Sequence, residues 1–145
     1  MSPNREPRSP RSVREIIADY LSRGPYAVVG ASANRAKFGN KVLRAYLQRG
    51  LEVFPINPRA DMIEGRKAYP DLKSLPTRAR GVSIITPPEI TERVVTEAAE
   101  AGAAFVWMQP GAESPDAIRI ARECGLEVIS DGSCFLVETG FKESG

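Results

Sequence analysis

The chain has 145 residues, 42% of them hydrophobic, which is enough for one domain around a single packed core. Its net charge of +2 gives no general attraction to nucleic acid, and no apolar run approaches the roughly 20 residues that a membrane-spanning helix needs. It contains no histidine, and its two cysteines lack metal-ligand or C-x-x-C spacing. We therefore expect a cytoplasmic protein with free thiols and no metal site, membrane segment or nucleic-acid partner.

The first segment of the chain differs in composition from the rest. Residues 1 to 11 are rich in proline and charge and lack apolar periodicity, so we predict a disordered tail. The domain then covers residues 12 to 145. A first helix is expected near residues 12 to 23, with Ser12 as its N-cap and apolar residues along one face.

Short apolar runs then alternate with helical patterns, which is typical of a parallel sheet covered by helices on both faces. Further helices are expected from Phe38, from Pro87-Pro88 and from Ser114-Pro115, each with a glycine where a C-terminal cap belongs. The pattern predicts an α/β fold, a single doubly wound Rossmann-like domain with a five-stranded parallel sheet. Its strands are placed near residues 26 to 30, 51 to 56, 81 to 86, 104 to 109 and 126 to 130.

The most informative stretch runs from Tyr26 to Lys41, where an apolar strand leads through a glycine turn and a polar loop into an amphipathic helix. A helix N-terminus leaves its first N–H groups unpaired and carries a partial positive charge, so it can hold an anion without a catalytic side chain. The next glycine after Gly30 is Gly39, so the loop is longer than in the dinucleotide fingerprint G-x-G-x-x-G. We interpret it as a phosphate cradle whose polar residues are Ser32, Asn34, Arg35, Lys37 and Lys41; a plain strand-to-helix turn is the alternative.

The end of the second predicted strand bears on the type of nucleotide. An NAD site needs an acidic residue about 20 positions after the glycine turn to hold the ribose hydroxyls. This chain offers Asn57, Pro58 and Arg59 instead, and the positive side chain favours a phosphate over a free ribose diol. An NADP-binding redox-sensing or oxidoreductase module is therefore one function that the sequence allows.

Polar and turn-forming residues also follow the third and fourth predicted strands. In doubly wound sheets the ligand lies beyond the carboxyl ends of the strands, where strand order reverses. Thr86-Pro87 and Met108-Gln109-Pro110 occupy two of these ends. Prolines and glycines there also suit simple turns. Their recurrence at one edge favours a site, in which Gln109 offers both a donor and an acceptor to an amide or base edge.

Four motifs stand in a specific order and spacing. They are Val29-Gly30-Ala31-Ser32 with Lys37-x-Gly39-Asn40-Lys41, Val53-x-Pro55-Ile56-Asn57-Pro58, Gly65-Arg66-Lys67-Ala68-Tyr69 and Val106-Trp107-Met108-Gln109. In these motifs the chain, from Tyr26 to about Glu138, resembles the small stand-alone CoA-binding proteins. That family is similar to the N-terminal CoA-binding domain of the succinyl-CoA synthetase alpha subunit.

The resemblance implies coenzyme A as the cofactor and non-catalytic binding of CoA or acyl-CoA as the function. Synthetase chemistry needs a phosphorylated histidine, and this chain has no histidine, so no catalytic residue is expected. The residues that the resemblance and the strand ends together assign to the ligand are Gly30, Ala31, Ser32, Ala33, Asn34, Arg35, Asn40, Lys41, Asn57, Pro58, Arg59, Thr86, Pro87, Met108, Gln109 and Pro110.

A third hypothesis is an enzyme that acts on acyl thioesters through Cys134, or through Asp131 or Glu138 as a base. A thiolate nucleophile needs a nearby base or positive group, and no histidine can supply it. Cys134 is therefore expected to be a small buried residue. Trp107 is expected in the core or at a dimer face, which leaves a homodimer as an open alternative.

Overall fold

The computed structural model describes residues 11 to 143. Apart from Arg11, the predicted disordered tail lies outside this range. The Arg11 guanidinium pairs with the carboxylates of Asp19 and Glu127, each at 3.0 Å.

Within the described residues, helices and strands alternate along most of the chain. In order they are α1 (Val13–Ser22), β1 (Tyr26–Val29), α2 (Phe38–Gln48), β2 (Val53–Ile56), β3 (Met62–Ile63), β4 (Arg66–Lys67), β5 (Gly81–Ile84), α3 (Pro88–Glu100), β6 (Phe105–Met108), α4 (Pro115–Glu123), β7 (Glu127–Ile129) and α5 (Phe135–Thr139). A short 3-10 helix over Leu72–Ser74 lies between β4 and β5.

Five of the strands form one parallel sheet in the order β2-β1-β5-β6-β7. Tyr26 in β1 lies between Val53 in β2 and Gly81 in β5, so the three strands end together at one edge. The chain adds β2 on one side of β1 and β5 on the other, and the strand order therefore reverses between β1 and β5. The predicted α/β fold is confirmed, and each sheet strand lies at its predicted position, one or two residues shorter.

Helices cover both faces of this sheet, and each face has its own apolar cluster. On one face α3 and α4 pack small aliphatic side chains such as Val95 against the strands. On the other, α1, α2 and α5 pack aromatic side chains, among them Tyr46. Trp107 is fully buried in this second cluster, and its Nε1 donates to the Ser133 carbonyl at 2.9 Å, so it is a core residue and not a dimer face.

The β3–β4 hairpin and α5 were not predicted. Two-residue strands are too short to show an alternating pattern, and the hairpin turns at Glu64-Gly65 with φ values of 50° and 75°. Asn or Asp at the first of these positions would have signalled the turn, and Glu does not. Helix α5 spans only five residues, too few for helical periodicity to appear in the sequence.

At the amino edge of the sheet, Arg80, which precedes β5, binds the C-terminal end of α1. Its Nη1 donates to the carbonyls of Asp19 and Arg23 at the end of α1, at 3.1 and 2.8 Å. Its Nη2 donates to the Asp19 carboxylate at 2.7 Å, and the guanidinium lies 4.7 Å from the centre of the Phe105 ring. Arg80 thus satisfies two of the carbonyls at the C-terminal end of α1.

The carboxyl edge is shaped by two glycines. Gly30 ends β1 with φ of 99°, and a Cβ atom there would lie 2.9 Å from the Ile85 carbonyl oxygen at the end of β5. A Cβ atom on Gly39, in the first turn of α2, would lie 2.0 Å from the Gly30 carbonyl oxygen. Strand β1, strand β5 and the start of α2 therefore meet at a distance that only glycine permits.

We expect Gly39→Ala to destabilise the protein by about 1 to 3 kcal/mol through overpacking, although alanine favours a helix by about 1 kcal/mol. The contrasting variant is Gly50→Ala, where a Cβ atom meets open space but φ is 71°, and we expect a loss of about 1 kcal/mol. Urea denaturation measures both. A Gly39→Ala protein as stable as the wild type would contradict the close approach of α2.

The ion pair between Arg80 and Asp19 predicts a dependence of stability on pH. Hydrogen bonds from Arg80, and then from Arg11, lower the pKa of the Asp19 carboxyl below its ordinary 3.8. A depressed folded-state pKa stabilises the protein above the unfolded value, and this contribution is lost as the pH falls through the folded value. We expect Asp19→Asn to cost up to about 1 kcal/mol at neutral pH, as for other half-exposed pairs, and less below pH 3. Urea denaturation at pH 7 and below pH 3 measures the difference in stability between variant and wild type. For the control Asp61→Asn, at an exposed carboxylate without an ion pair in the described residues, this difference should be the same at both pH values.

Candidate functional site

A cleft of about 520 Å³ opens at the carboxyl edge of the sheet, beside the point where strand order reverses. Its walls come from the loop after β1, the loop after β2, the end of β5 and the inner face of α3. Cavities of about 440 and 420 Å³ at the outer edge of β2 and at the amino edge of the sheet lie away from this point. The lining residues are Val29, Gly30, Ala31, Ser32, Lys37, Ile56, Asn57, Pro58, Arg59, Pro70, Asp71, Thr86, Ile90, Val94 and Glu97.

The cleft brings together seven of the sixteen residues predicted for the ligand site. They come from three separate strand ends, and their meeting follows from the parallel register of β2, β1 and β5. Lys37, included in the predicted cradle, also lines the cleft. The seven are Gly30, Ala31, Ser32, Asn57, Pro58, Arg59 and Thr86.

Sequence reasoning missed the wall formed by α3 and the segment before the 3-10 helix. Ile90, Val94 and Glu97 have the i, i+4, i+7 spacing of one helix face, so the helical pattern after Pro88 carried a usable signal. The sequence around Pro70 and Asp71 carried no signal that would place them at the cleft. They reach the cleft because Tyr69 pairs with the end of β2, its N–H donating to the Pro55 carbonyl at 2.9 Å.

The remaining predicted residues are not in the cleft lining, for three reasons. Ala33, Asn34, Arg35, Pro87 and Pro110 are exposed, and none of them lines the cleft. Lys41 is directed to Glu143, with Nζ 3.3 Å from its carboxylate. The side chains of Asn40, Met108 and Gln109 are fully buried.

The Gln109 side chain, which was predicted to contact the ligand, makes its hydrogen bonds within the protein. Its Oε1 accepts the Phe135 N–H at the start of α5 at 2.9 Å, and its Nε2 lies 3.5 Å from the Ser83 hydroxyl. Ser83 in turn bonds Tyr46 at 2.7 Å, and Tyr46 bonds Tyr20. The amide therefore belongs to a buried network that ties α5 to the sheet, and it does not line the cleft.

The loop from Gly30 to Lys37, here called the phosphate loop, is held by hydrogen bonds of its own. The Asn34 N–H donates to the Ser32 hydroxyl at 3.0 Å, and the Ala36 N–H to the Asn34 Oδ1 at 2.9 Å. These are the local turns that Ser and Asn favour. From outside the loop, Asn57 Nδ2 donates to the Ala31 carbonyl at 2.8 Å.

The cations of the cleft lining are exposed, whereas its carboxylates are hydrogen-bonded to backbone groups. Lys37 and Arg59 are exposed cations. The carboxylates of Asp71 and Glu97 cap backbone groups, since Asp71 accepts the Ser74 N–H at 2.9 Å and Glu97 the Leu72 N–H at 3.1 Å. The N-cap residue of α2 is Lys37, which makes no side-chain hydrogen bond to the first turn. Among the described residues, the Phe38 and Gly39 N–H groups at the helix start have no acceptor, and this end of the helix carries a partial positive charge.

The geometry around Cys134 bears on the thioester hypothesis. Cys134 is half-buried at the start of α5, and the Glu138 carboxylate is held by Arg14 at 2.8 Å. Hydrogen bonds from Ser133 lower the pKa of the Asp131 carboxyl, whereas a general base near neutral pH needs a raised one. Both carboxylates are therefore engaged by other groups of the protein.

Two further properties concern the described residues, 11 to 143. Within them, no cluster of three or more His, Cys, Asp and Glu side chains is placed to hold a metal ion. No helix in this part of the chain is long and apolar enough to cross a membrane.

Comparison with known proteins decides the family. The family model of the CoA binding domain matches residues 25–140. The chain belongs to the CoA-binding domain family. The resemblance seen in the four motifs is therefore confirmed.

Relatives of this CoA-binding domain protein are both stand-alone chains and parts of larger enzymes. It is 31% identical over 116 residues to the uncharacterized protein YneT of Bacillus subtilis, covering 79% of this chain and 86% of YneT. A conserved hypothetical protein from Pyrococcus furiosus has a solved structure with 42% identity and a TM-score of 0.74, covering 79% of this chain and 97% of that one. The alpha subunit of the ADP-forming acetate–CoA ligase II of Pyrococcus furiosus is 25% identical, over 78% of this chain but only 27% of the subunit.

We expect Gln109→Leu to lower stability by about 1 to 3 kcal/mol, because it leaves the buried Phe135 N–H without an acceptor. Gln48→Leu is the matched control: Gln48 also bonds backbone groups, at Lys142, but it is exposed and water can replace it. Urea denaturation compares the two. Equal, small losses would show that Gln109 does not stabilise the start of α5.

Proposed function

We propose that this protein binds CoA or acyl-CoA in the cleft at the carboxyl edge of the sheet and catalyses no reaction on it. The observation that carries the proposal is the position of the cleft. In a chain of the CoA-binding domain family, it lies where the strand order reverses and is bordered by the phosphate loop. Ligands of doubly wound folds bind at this place.

The phosphates of CoA would lie against the phosphate loop and the start of α2. Lys37 stands at that helix start, and Arg59 stands across the cleft on the loop after β2. Two cations and an uncapped helix N-terminus favour a ligand with several negative charges. CoA carries a diphosphate and a separate ribose phosphate, so a cleft with cations on two loops suits it.

The apolar part of the cleft would hold the uncharged parts of the ligand. Val29 and Ile56 end two neighbouring strands, and Ile90 and Val94 face them from α3. These side chains offer apolar walls to an adenine ring or a pantetheine chain. Thr86 adds a hydroxyl, which also lies 2.8 Å from the hydroxyl of Thr91.

The family match and the relatives favour CoA over NADP, the alternative nucleotide allowed by Arg59. In the ligase relative, the matching region is about a quarter of the alpha subunit, so the ligase activity is a property of that larger protein. For this chain we propose binding alone. Near Cys134, hydrogen bonds lower the pKa of the Asp131 carboxyl, and the Glu138 carboxylate is paired with Arg14.

Titration calorimetry with CoA, acetyl-CoA and NADP tests the proposal. We expect CoA to bind and NADP to bind at least tenfold more weakly. Arg59→Gln and Lys37→Gln should each weaken CoA about tenfold, as expected for the loss of a charged hydrogen bond to phosphate.

Arg122→Gln makes the same charge change at the far end of α4 and should leave the affinity for CoA unaltered. Binding of NADP but not of CoA would overturn the proposal. Equal weakening by all three variants would show that overall charge, and not the cleft, attracts the ligand.

A further inference from the structure

Three side chains hold carbonyl groups of the phosphate loop. Asn57 Nδ2 donates to the Ala31 carbonyl at 2.8 Å. Asn40 Nδ2 donates to the Ser32 carbonyl at 2.8 Å, and Arg44 Nη2 donates to the Arg35 carbonyl at 3.1 Å. The last two donors belong to α2, and both of their residues are buried beneath the loop.

The direction of these carbonyls fixes the direction of the loop N–H groups. In a trans peptide, the C=O of one residue and the N–H of the next point in opposite directions. The Ser32 N–H therefore points away from Asn57, and the Ala33 N–H points away from the buried Asn40 and so toward the outside of the loop. Neither N–H donates to another residue in the range 11 to 143.

We infer that Asn40 and Arg44 are positioning residues for phosphate binding. They hold the carbonyls of Ser32 and Arg35 away from the ligand, whose negative charge would repel them, and they keep the Ala33 N–H presented to a phosphate. Neither side chain contacts the ligand. The inference rests on the proposed function, and it gives the buried Asn40 a role other than the direct contact predicted from the sequence.

The Asn40 and Arg44 side chains are locked by their other contacts. Arg44 Nε donates to Asn40 Oδ1 at 2.6 Å, and Asn40 Nδ2 also donates to the Glu64 carboxylate at 3.0 Å. Only 8% of the Arg44 side chain is exposed. A planar guanidinium can bond several acceptors in fixed directions, which a lysine ammonium at the same place cannot do.

The segment Phe141–Glu143 completes the surroundings of Arg44. Glu143 accepts from Arg44 Nη1 at 2.9 Å, and the Phe141 ring centre lies 5.3 Å from the guanidinium carbon. The segment is attached to α2 by Gln48, whose amide bonds the backbone of Lys142. Glu143 thus supports the phosphate loop through Arg44, although it lies outside the cleft.

Arg80 provides a matched control for Arg44. It too donates to backbone carbonyls, pairs with a carboxylate and packs on an aromatic ring, but at the opposite edge of the sheet. If Arg44 only stabilised the fold, Arg44→Lys and Arg80→Lys would behave alike. If it positions the loop, only Arg44→Lys should change ligand affinity.

The test measures binding of CoA and of pyrophosphate, together with thermal stability. We expect Arg44→Lys to weaken both ligands about tenfold while conserving charge, and Arg80→Lys to lower the melting temperature without changing either affinity. Glu143→Gln is a milder variant at an exposed residue. It removes a negative charge, which by electrostatics alone would strengthen anion binding, whereas loss of support for Arg44 should weaken it roughly two- to fivefold.

Amide NMR spectra of the wild type separate the inference from the proposed function. We expect the Ser32 and Ala33 N–H signals to shift on addition of pyrophosphate or CoA. If CoA binds but these signals stay in place, or if Arg44→Lys and Glu143→Gln keep the wild-type affinity, the positioning role is wrong and the function stands. If pyrophosphate shifts the signals and CoA binds no more tightly than pyrophosphate, the positioning role stands and the proposed function fails.

Discussion

The close approach of α2 to the turn at Gly30 is the constraint on which the site depends. Strand β1 ends against the end of β5, and Gly39 brings the first turn of α2 onto the Gly30 carbonyl. This contact sets where the helix dipole points and how near the loop lies to the strand ends. Because the helix start is fixed, the side chains of α2 beneath the loop can reach its carbonyls. The cleft, the loop and the cations around it all follow from this packing.

The cleft that results has the groups that hold an anion. Its donors are backbone N–H groups and two cations, and the polar side chains nearest to the loop bond the protein itself. The carboxylates in the lining, Asp71 and Glu97, cap backbone groups. A binding domain of this kind can stand alone or form part of a larger enzyme, and the relatives of this chain include both.

Most of the fold was predictable because each element carries a local signal. Apolar runs marked the five sheet strands, and Ser12 and Ser114 marked helix starts, where both now accept hydrogen bonds as N-caps. The site was predictable only in part. An amide after a strand end has the same sequence signal whether it faces a ligand or the protein. The buried hydrogen bonds of Gln109 depend on α5, and those of Asn40 depend in part on Arg44. The bonds of Gln109 to the Phe135 N–H and of Asn40 to the Glu64 carboxylate join residues far apart in the chain, and such contacts leave no trace in local spacing.

A crystal structure of the protein with CoA would test most directly whether the phosphate loop binds this ligand. We expect a CoA phosphate within hydrogen-bond distance of the Ser32 and Ala33 N–H groups, with Arg59 or Lys37 on a phosphate oxygen and the Asn40 and Arg44 hydrogen bonds intact. CoA bound outside the cleft, or with its phosphates away from the loop, would contradict both the assignment of the site and the role given to the loop.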